Sequence, residues 1–143
     1  MNSKPRVSAP IDVEREPVRV MFLRATEDSP PAIGHAWKEF ETAVGLKGRK
    51  FFGAFENELR EYRVCTAIQA DDDPAAMGFD SDTLPGGTYS RVRLRGEPPD
   101  VYAYILPTVE GMEQQPGFDT SRPTIEFYRS HDIIDILVPV NRG

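Results

Sequence analysis

A chain of 143 residues with a formal charge of −6, 39% hydrophobic and 28% charged residues, has the size and composition of one globular domain with a core of its own. Its acidity argues against a nucleic-acid surface, which needs clustered positive charge, and agrees with an attraction for cationic ligands or basic partners. The single cysteine, Cys65, excludes an internal disulfide framework, and no apolar run approaches the ~18 residues of a membrane span. The start of the chain has no signal-peptide pattern, so a cytoplasmic location is expected.

Taken in order, residues 1–10 are polar, hold two prolines and are expected to be flexible. An extended piece begins at Ile11–Val13, and Val18–Leu23 reads as a strand. Ser29 is placed to cap a helix whose first turn takes Pro30 and Pro31. Ile33, Trp37, Phe40 and Val44 then recur at helical spacing, and Gly45 and Gly48 end the helix. Lys50–Phe55 and Tyr62–Ile68 are strands, with Cys65 a small buried hydrophobe in the second.

Asp71 to Asp82 reads as an acidic loop without the EF-hand spacing, and so as a solvated segment. After the turn Leu84-Pro85-Gly86-Gly87 comes a strand, Thr88–Leu94. Gly86-Gly87 leads into a strand, so it is no phosphate cradle. A helical segment follows Pro98-Pro99, with Val101, Tyr102, Ile105 and Leu106 as its apolar set, and Pro107 is expected to break or kink it. Pro123–Tyr128 and Ile133–Val140 are the last strands, the second very apolar and central. His35 stands one turn before Glu39 and is expected to pair with it; His131 lies in a polar turn, and neither has the partners of a metal site or a triad.

The element order is strand, helix, strand, strand, twice over. A repeat of ~70 residues is too long for a solenoid. It predicts an α+β fold of two βαββ modules, about residues 11–70 and 83–141, related by a pseudo-twofold axis. A groove at their junction is then a natural ligand site.

The strand at 123–128 carries the main candidate. Side chains alternate along it, so Thr124, Glu126 and Tyr128 share one face while Ile125 and Phe127 share the other. Two readings compete for Glu126: an edge-strand carboxylate in water, or a carboxylate among apolar strands that must pair, protonate or receive a cationic ligand. Trp37 lies on the apolar stripe of its helix, as core or as groove lining. Tyr89 and Tyr104 carry the same ambiguity, and Phe52 and Phe55 read as groove wall or plain core.

Several pieces together resemble the GyrI-like small-molecule-binding domain, the effector-binding domain of many AraC- and MerR-type regulators. They are Ala36-Trp37 with Phe40, Phe52-Gly53-Ala54-Phe55, Tyr62–Cys65, Leu84–Tyr89 with Gly96, Tyr104–Pro107, Pro123–Tyr128 and Asp135–Val140, and they run in family order over about residues 11–140. The resemblance implies a multidrug-type groove for hydrophobic or cationic organic ligands, with Glu126 at the position of the family's groove-facing glutamate. From the residues, no cofactor and no metal are expected. About sixteen residues precede the first clear strand, too few for a DNA-binding helical domain, so a stand-alone form without direct nucleic-acid contact is expected.

Stand-alone members of that family include drug-sequestering proteins, a DNA gyrase inhibitor that acts on a protein partner, and hydrolases that open strained rings with a glutamate and a tyrosine. Phe52 stands where the family often has a tyrosine; for a hydrolase, Tyr89, Tyr104 or Tyr128 would have to serve in its place. The expected ligand-binding set is thus Glu126, Trp37, Phe52, Phe55, Tyr89, Tyr104 and Tyr128.

Overall fold

The computed structural model describes residues 4–143. Nine strands form one antiparallel sheet: β1 (Arg6–Val7), β2 (Ile11–Arg15), β3 (Val18–Arg24), β4 (Phe51–Glu56), β5 (Glu61–Ala67), β6 (Asp80–Leu84), β7 (Gly87–Arg95), β8 (Thr124–Ser130) and β9 (Ile133–Pro139). The helices are α1 (Pro30–Val44), the four-residue α2 (Pro74–Met77), and α3 (Ile105–Met112), which continues a 3-10 turn at Asp100–Tyr104. No helix among the described residues is long and apolar enough to cross a membrane.

The strands run β1-β7-β9-β8-β4-β5-β3-β6, with β2 beside β7. Strand-helix-strand-strand occurs twice, as β3-α1-β4-β5 and as β7-α3-β8-β9. The sheet order β7-β9-β8 followed by β4-β5-β3 is its own reverse once β7 is matched with β3, β9 with β5 and β8 with β4. The pseudo-twofold axis therefore passes between β4 and β8. In their ladder Phe51 meets Tyr128, Gly53 meets Glu126 and Phe55 meets Thr124, so the Gly53–Glu126 pair sits at the middle.

The sheet is forced to curl. β6 and β7 lie six strand spacings apart, ~29 Å if the sheet were flat, yet only Pro85 and Gly86 join them. Curling brings residues from distant strands into one cluster on the inner face: Val20, Phe22, Phe52, Cys65, Leu84, Tyr89, Ile125 and Leu137. The other face carries the helices. α1 packs on β3 and β5 through Ala36 and Phe40, and α3 packs on β7 and β9 beside Val101 and Met112. The central strands β4 and β8 are the floor between the two helix-covered clusters.

Local chemistry explains the boundaries. Ser29 caps α1, its Oγ accepting from Ala32 N at 3.4 Å, and Gly45 ends the helix at φ +78°. Pro107 does not break α3 as expected. It falls in the first turn, where backbone N–H groups have no intrahelical acceptor to lose. The acidic stretch at 71–82 also departs from a plain loop. Asp73 caps α2, and Asp80–Leu84 pairs with β3 as an edge strand. Within the segment expected to be flexible, Arg6–Val7 pairs with Leu94–Arg95, and Ser8 Oγ accepts from Arg93 N at 2.8 Å; residues 1–3 of that segment lie outside the described residues.

Candidate functional site

Glu126 projects from β8 on the helix-bearing face, at the seam between the two modules. Ile125 and Phe127 point the other way, into the inner cluster. The alternation read from the sequence thus holds, and Glu126 is half-buried rather than on a solvated edge, with β4 on one side of its strand and β9 on the other.

Two hydroxyls meet one carboxylate oxygen. Tyr62 Oη, from β5, donates to Glu126 Oε1 at 2.7 Å, and Tyr128 Oη, two residues along β8, donates to the same atom at 2.7 Å. Trp37 Nε1 donates to Tyr62 Oη at 3.2 Å, so α1 is tied into the same network. Glu126 Oε2 has no hydrogen-bond partner among the described residues and is not sealed from solvent. No Lys, Arg or His among the described residues pairs with Glu126 within 4.0 Å.

Burial pushes the Glu126 carboxyl above its ordinary range, and the Tyr128 and Tyr62 hydrogen bonds pull it part of the way back. Both phenols are pushed well up, chiefly by burial and then by the Glu126 charge, so they remain donors. A carboxylate in this setting carries a charge that aromatic surroundings and two hydroxyls only partly compensate.

The other half of the sheet makes the room. Gly53 occupies in β4 the place Glu126 occupies in β8. A Cβ on Gly53 would lie 2.1 Å from Tyr62 Oη and 2.6 Å from Glu126 Oε1, so any larger residue there displaces the network.

Of the residues singled out in the sequence, Glu126, Tyr128 and Trp37 come together. Trp37 meets Tyr128 edge-on, ring centroids 5.2 Å apart, and Phe51 at 6.1 Å. Trp37 is therefore both packed against Tyr128 and part of the network. Phe55 lies on the same face, across β4–β5 from Tyr62. Tyr104 packs, part-buried, on the α3 cluster that also receives Tyr128, and makes no hydrogen bond to Glu126.

Phe52 and Tyr89 do not join them. Both are buried on the inner face, where Phe52 stacks on Phe127 at 4.8 Å and Tyr89 Oη donates to Pro85 O at 2.6 Å. Parity is the reason: Gly53 pairs with Glu126, so its neighbour Phe52 must face away, and a tyrosine there would not reach the carboxylate. Tyr62 is the hydroxyl the sequence reading missed. Its signal was the hairpin register, which sets Tyr62 opposite Phe55 and Val64 opposite Gly53.

The histidines are peripheral. His35 is exposed and forms no ion pair with Glu39 among the described residues. His131, read as isolated, has Glu97 and Asp132 each 3.9 Å away, all three at the surface near the β8–β9 turn.

No protein-family model and no curated protein matches the sequence. Solved structures do share the fold. An integron cassette protein from the mobile metagenome of Vibrio cholerae superposes with a TM-score of 0.77 at 17% identity, over 97% of this chain and 100% of that one. The protein SAV2435, solved bound to tetraphenylphosphonium, gives 0.66 at 16% identity over 94% and 95% of the two chains. A Staphylococcus aureus MU50 protein assigned to transcription regulation gives 0.61 at 16% identity over 93% and 98%. The chain thus has the α+β architecture of these proteins along nearly its whole length.

Proposed function

We propose that this protein binds hydrophobic organic cations in the channel between α1 and α3, with Glu126 as the charged anchor. The observation that carries the reading is a half-buried carboxylate that no cation among the described residues neutralises, one oxygen oriented by Tyr62 and Tyr128 and the other without a partner among those residues. Aromatic faces attract cations, more strongly where water is excluded, and Trp37, Phe51, Phe55 and the two tyrosines surround the position. The ligand in SAV2435, a protein of the same fold, is an organic cation with an apolar body. The sequence resemblance to GyrI-like effector-binding domains points the same way. Trp37 and Tyr128 touch in the structure, so a ligand of this size enters by parting them.

The test is a thermal-shift titration with tetraphenylphosphonium against neutral triphenylphosphine oxide. Ligand that binds the folded state raises Tm by mass action. A rise with the cation and little with the neutral compound supports the reading; equal shifts, or none at millimolar concentrations, contradict it.

A second reading is favoured by the raised affinity of Glu126 for protons, which suits a general base acting on water with a tyrosine assisting. It predicts that a strained electrophilic ligand is recovered with one water added. A ligand recovered unchanged decides for binding alone.

A further inference from the structure

A cavity of about 490 Å³ opens at one end of the curled sheet. It is lined by Arg15, Arg49, Lys50 and Arg129, with Val18, Phe52, Ala67, Phe127 and Tyr128 as its other walls, and by no aspartate or glutamate. The chain holds 23 acidic residues against 17 basic ones, so a cavity with four cations and no carboxylate runs against its overall charge.

The four cations are not equally occupied. Arg49 is held by Asp72 through two contacts at 2.5 and 2.7 Å, and Arg129 reaches Asp135 at 3.5 Å. Arg15 and Lys50 have no carboxylate within 4.0 Å among the described residues. The apolar wall is flat: Phe127 stacks on Phe52 with 17° between the rings. The guanidinium carbons of Arg15 and Arg129 lie 5.6 and 5.5 Å from the Phe127 ring centroid. A planar apolar surface rimmed by cations, two of them without a carboxylate, is complementary to a flat organic anion, whose ring meets the aromatic wall while its charged group reaches Arg15 and Lys50.

We propose that this end of the curled sheet binds small aromatic carboxylates or sulfonates, in a site distinct from the one proposed at Glu126 and opposite to it in charge. Pockets of this volume at barrel mouths suit small organic ligands. Tyr128 borders both places, so the two sites abut across β8.

The experiment is calorimetric titration of the full chain with 1-naphthoate and with neutral 1-naphthamide at low salt, with amide chemical-shift mapping of the naphthoate complex. The proposal expects naphthoate to bind about tenfold or more tighter than naphthamide, a contact to a charged group being the difference. Shifts should centre on Lys50, Phe127 and Arg129. Lys50→Gln and Arg15→Gln, both outside the core, should each weaken naphthoate about three- to tenfold, while Glu126→Gln, which removes a nearby negative charge, does not weaken it. Equal binding of the two compounds, no binding at millimolar concentration, shifts centred on Tyr62 and Glu126, or full affinity in the Arg15→Gln/Lys50→Gln double variant would each overturn it.

Discussion

Gly53 and Glu126 face each other across the β4–β8 ladder, and the side chain that one lacks is the space the other fills. The pseudo-twofold axis passes between them, so the two modules contribute unlike residues at matching places: a carboxylate from one and a void from the other. A strictly symmetric pair would set two carboxylates, or none, at this point.

Gly53→Ala is therefore expected to disrupt the site from a position that makes no polar contact with it. The new methyl meets Tyr62 Oη and Glu126 Oε1 well inside contact distance. Overpacking of this kind costs about 1–3 kcal/mol, and the displaced carboxylate loses its two donors. Urea denaturation should show the loss of stability, and tetraphenylphosphonium binding should fall with it.

Glu126→Gln should separate stability from function. The carboxyl is raised by burial, so its charged form is disfavoured in the folded state. The sign follows: the penalty is absent below the unfolded value near 4.5 and fully present above the raised folded value. The glutamine variant should thus be as stable as the parent or more so at pH 7, with the advantage shrinking as the pH falls toward 4.5. Thermal melts between pH 4 and 8 read this directly. Cation affinity of the parent should fall over the same interval, because the anchor protonates.

The two tyrosines should not be equivalent. Tyr62 Oη both donates to Glu126 and accepts from Trp37 Nε1, whereas Tyr128 Oη donates to Glu126 alone. Tyr62→Phe leaves the part-buried Trp37 indole N–H without its acceptor, at up to about 1–3 kcal/mol, and Tyr128→Phe should cost less. Each removes a hydrogen bond that lowers the Glu126 carboxyl. In both variants the pH midpoint for cation binding should move upward, which titrations of affinity against pH will show.

How much of this was legible in the chain depends on which distances matter. Alternation along 124–128 placed Glu126 and Tyr128 on one face and Ile125 and Phe127 on the other, because strand parity is local. The repeat of strand, helix, strand, strand gave the two modules for the same reason. Phe52 and Tyr89 went unresolved because their facing depends on the register between strands far apart in sequence, which no local pattern encodes; for Tyr62 the β4–β5 hairpin register is local, but the β4–β8 pairing that brings Glu126 to it is not. Asp80–Leu84 escaped because an exposed edge strand needs no apolar alternation. Ion pairs of Arg24 with Asp80 and Arg63 with Asp82 hold it in place.

Asp72 offers a control away from the channel. Its hydrogen bonds from Arg49 and from the Gln69 backbone hold its carboxyl down to about 2. A lowered carboxyl stabilises the fold above the unfolded value of 3.8, and that contribution is lost as pH falls toward 2. Asp72→Asn should therefore lower Tm at pH 7, with the difference from the parent vanishing in strong acid, and it should leave tetraphenylphosphonium affinity unchanged.

The most direct measurement is calorimetric titration of tetraphenylphosphonium into the parent protein and into Glu126→Gln at pH 7.5, with thermal melts confirming that both are folded. The account predicts binding to the parent and a loss of about tenfold or more in the variant, as expected for removing the charge that meets a desolvated cation. Equal affinity in two folded proteins would show that Glu126 is not the anchor and that the channel takes its ligands, if any, by shape alone.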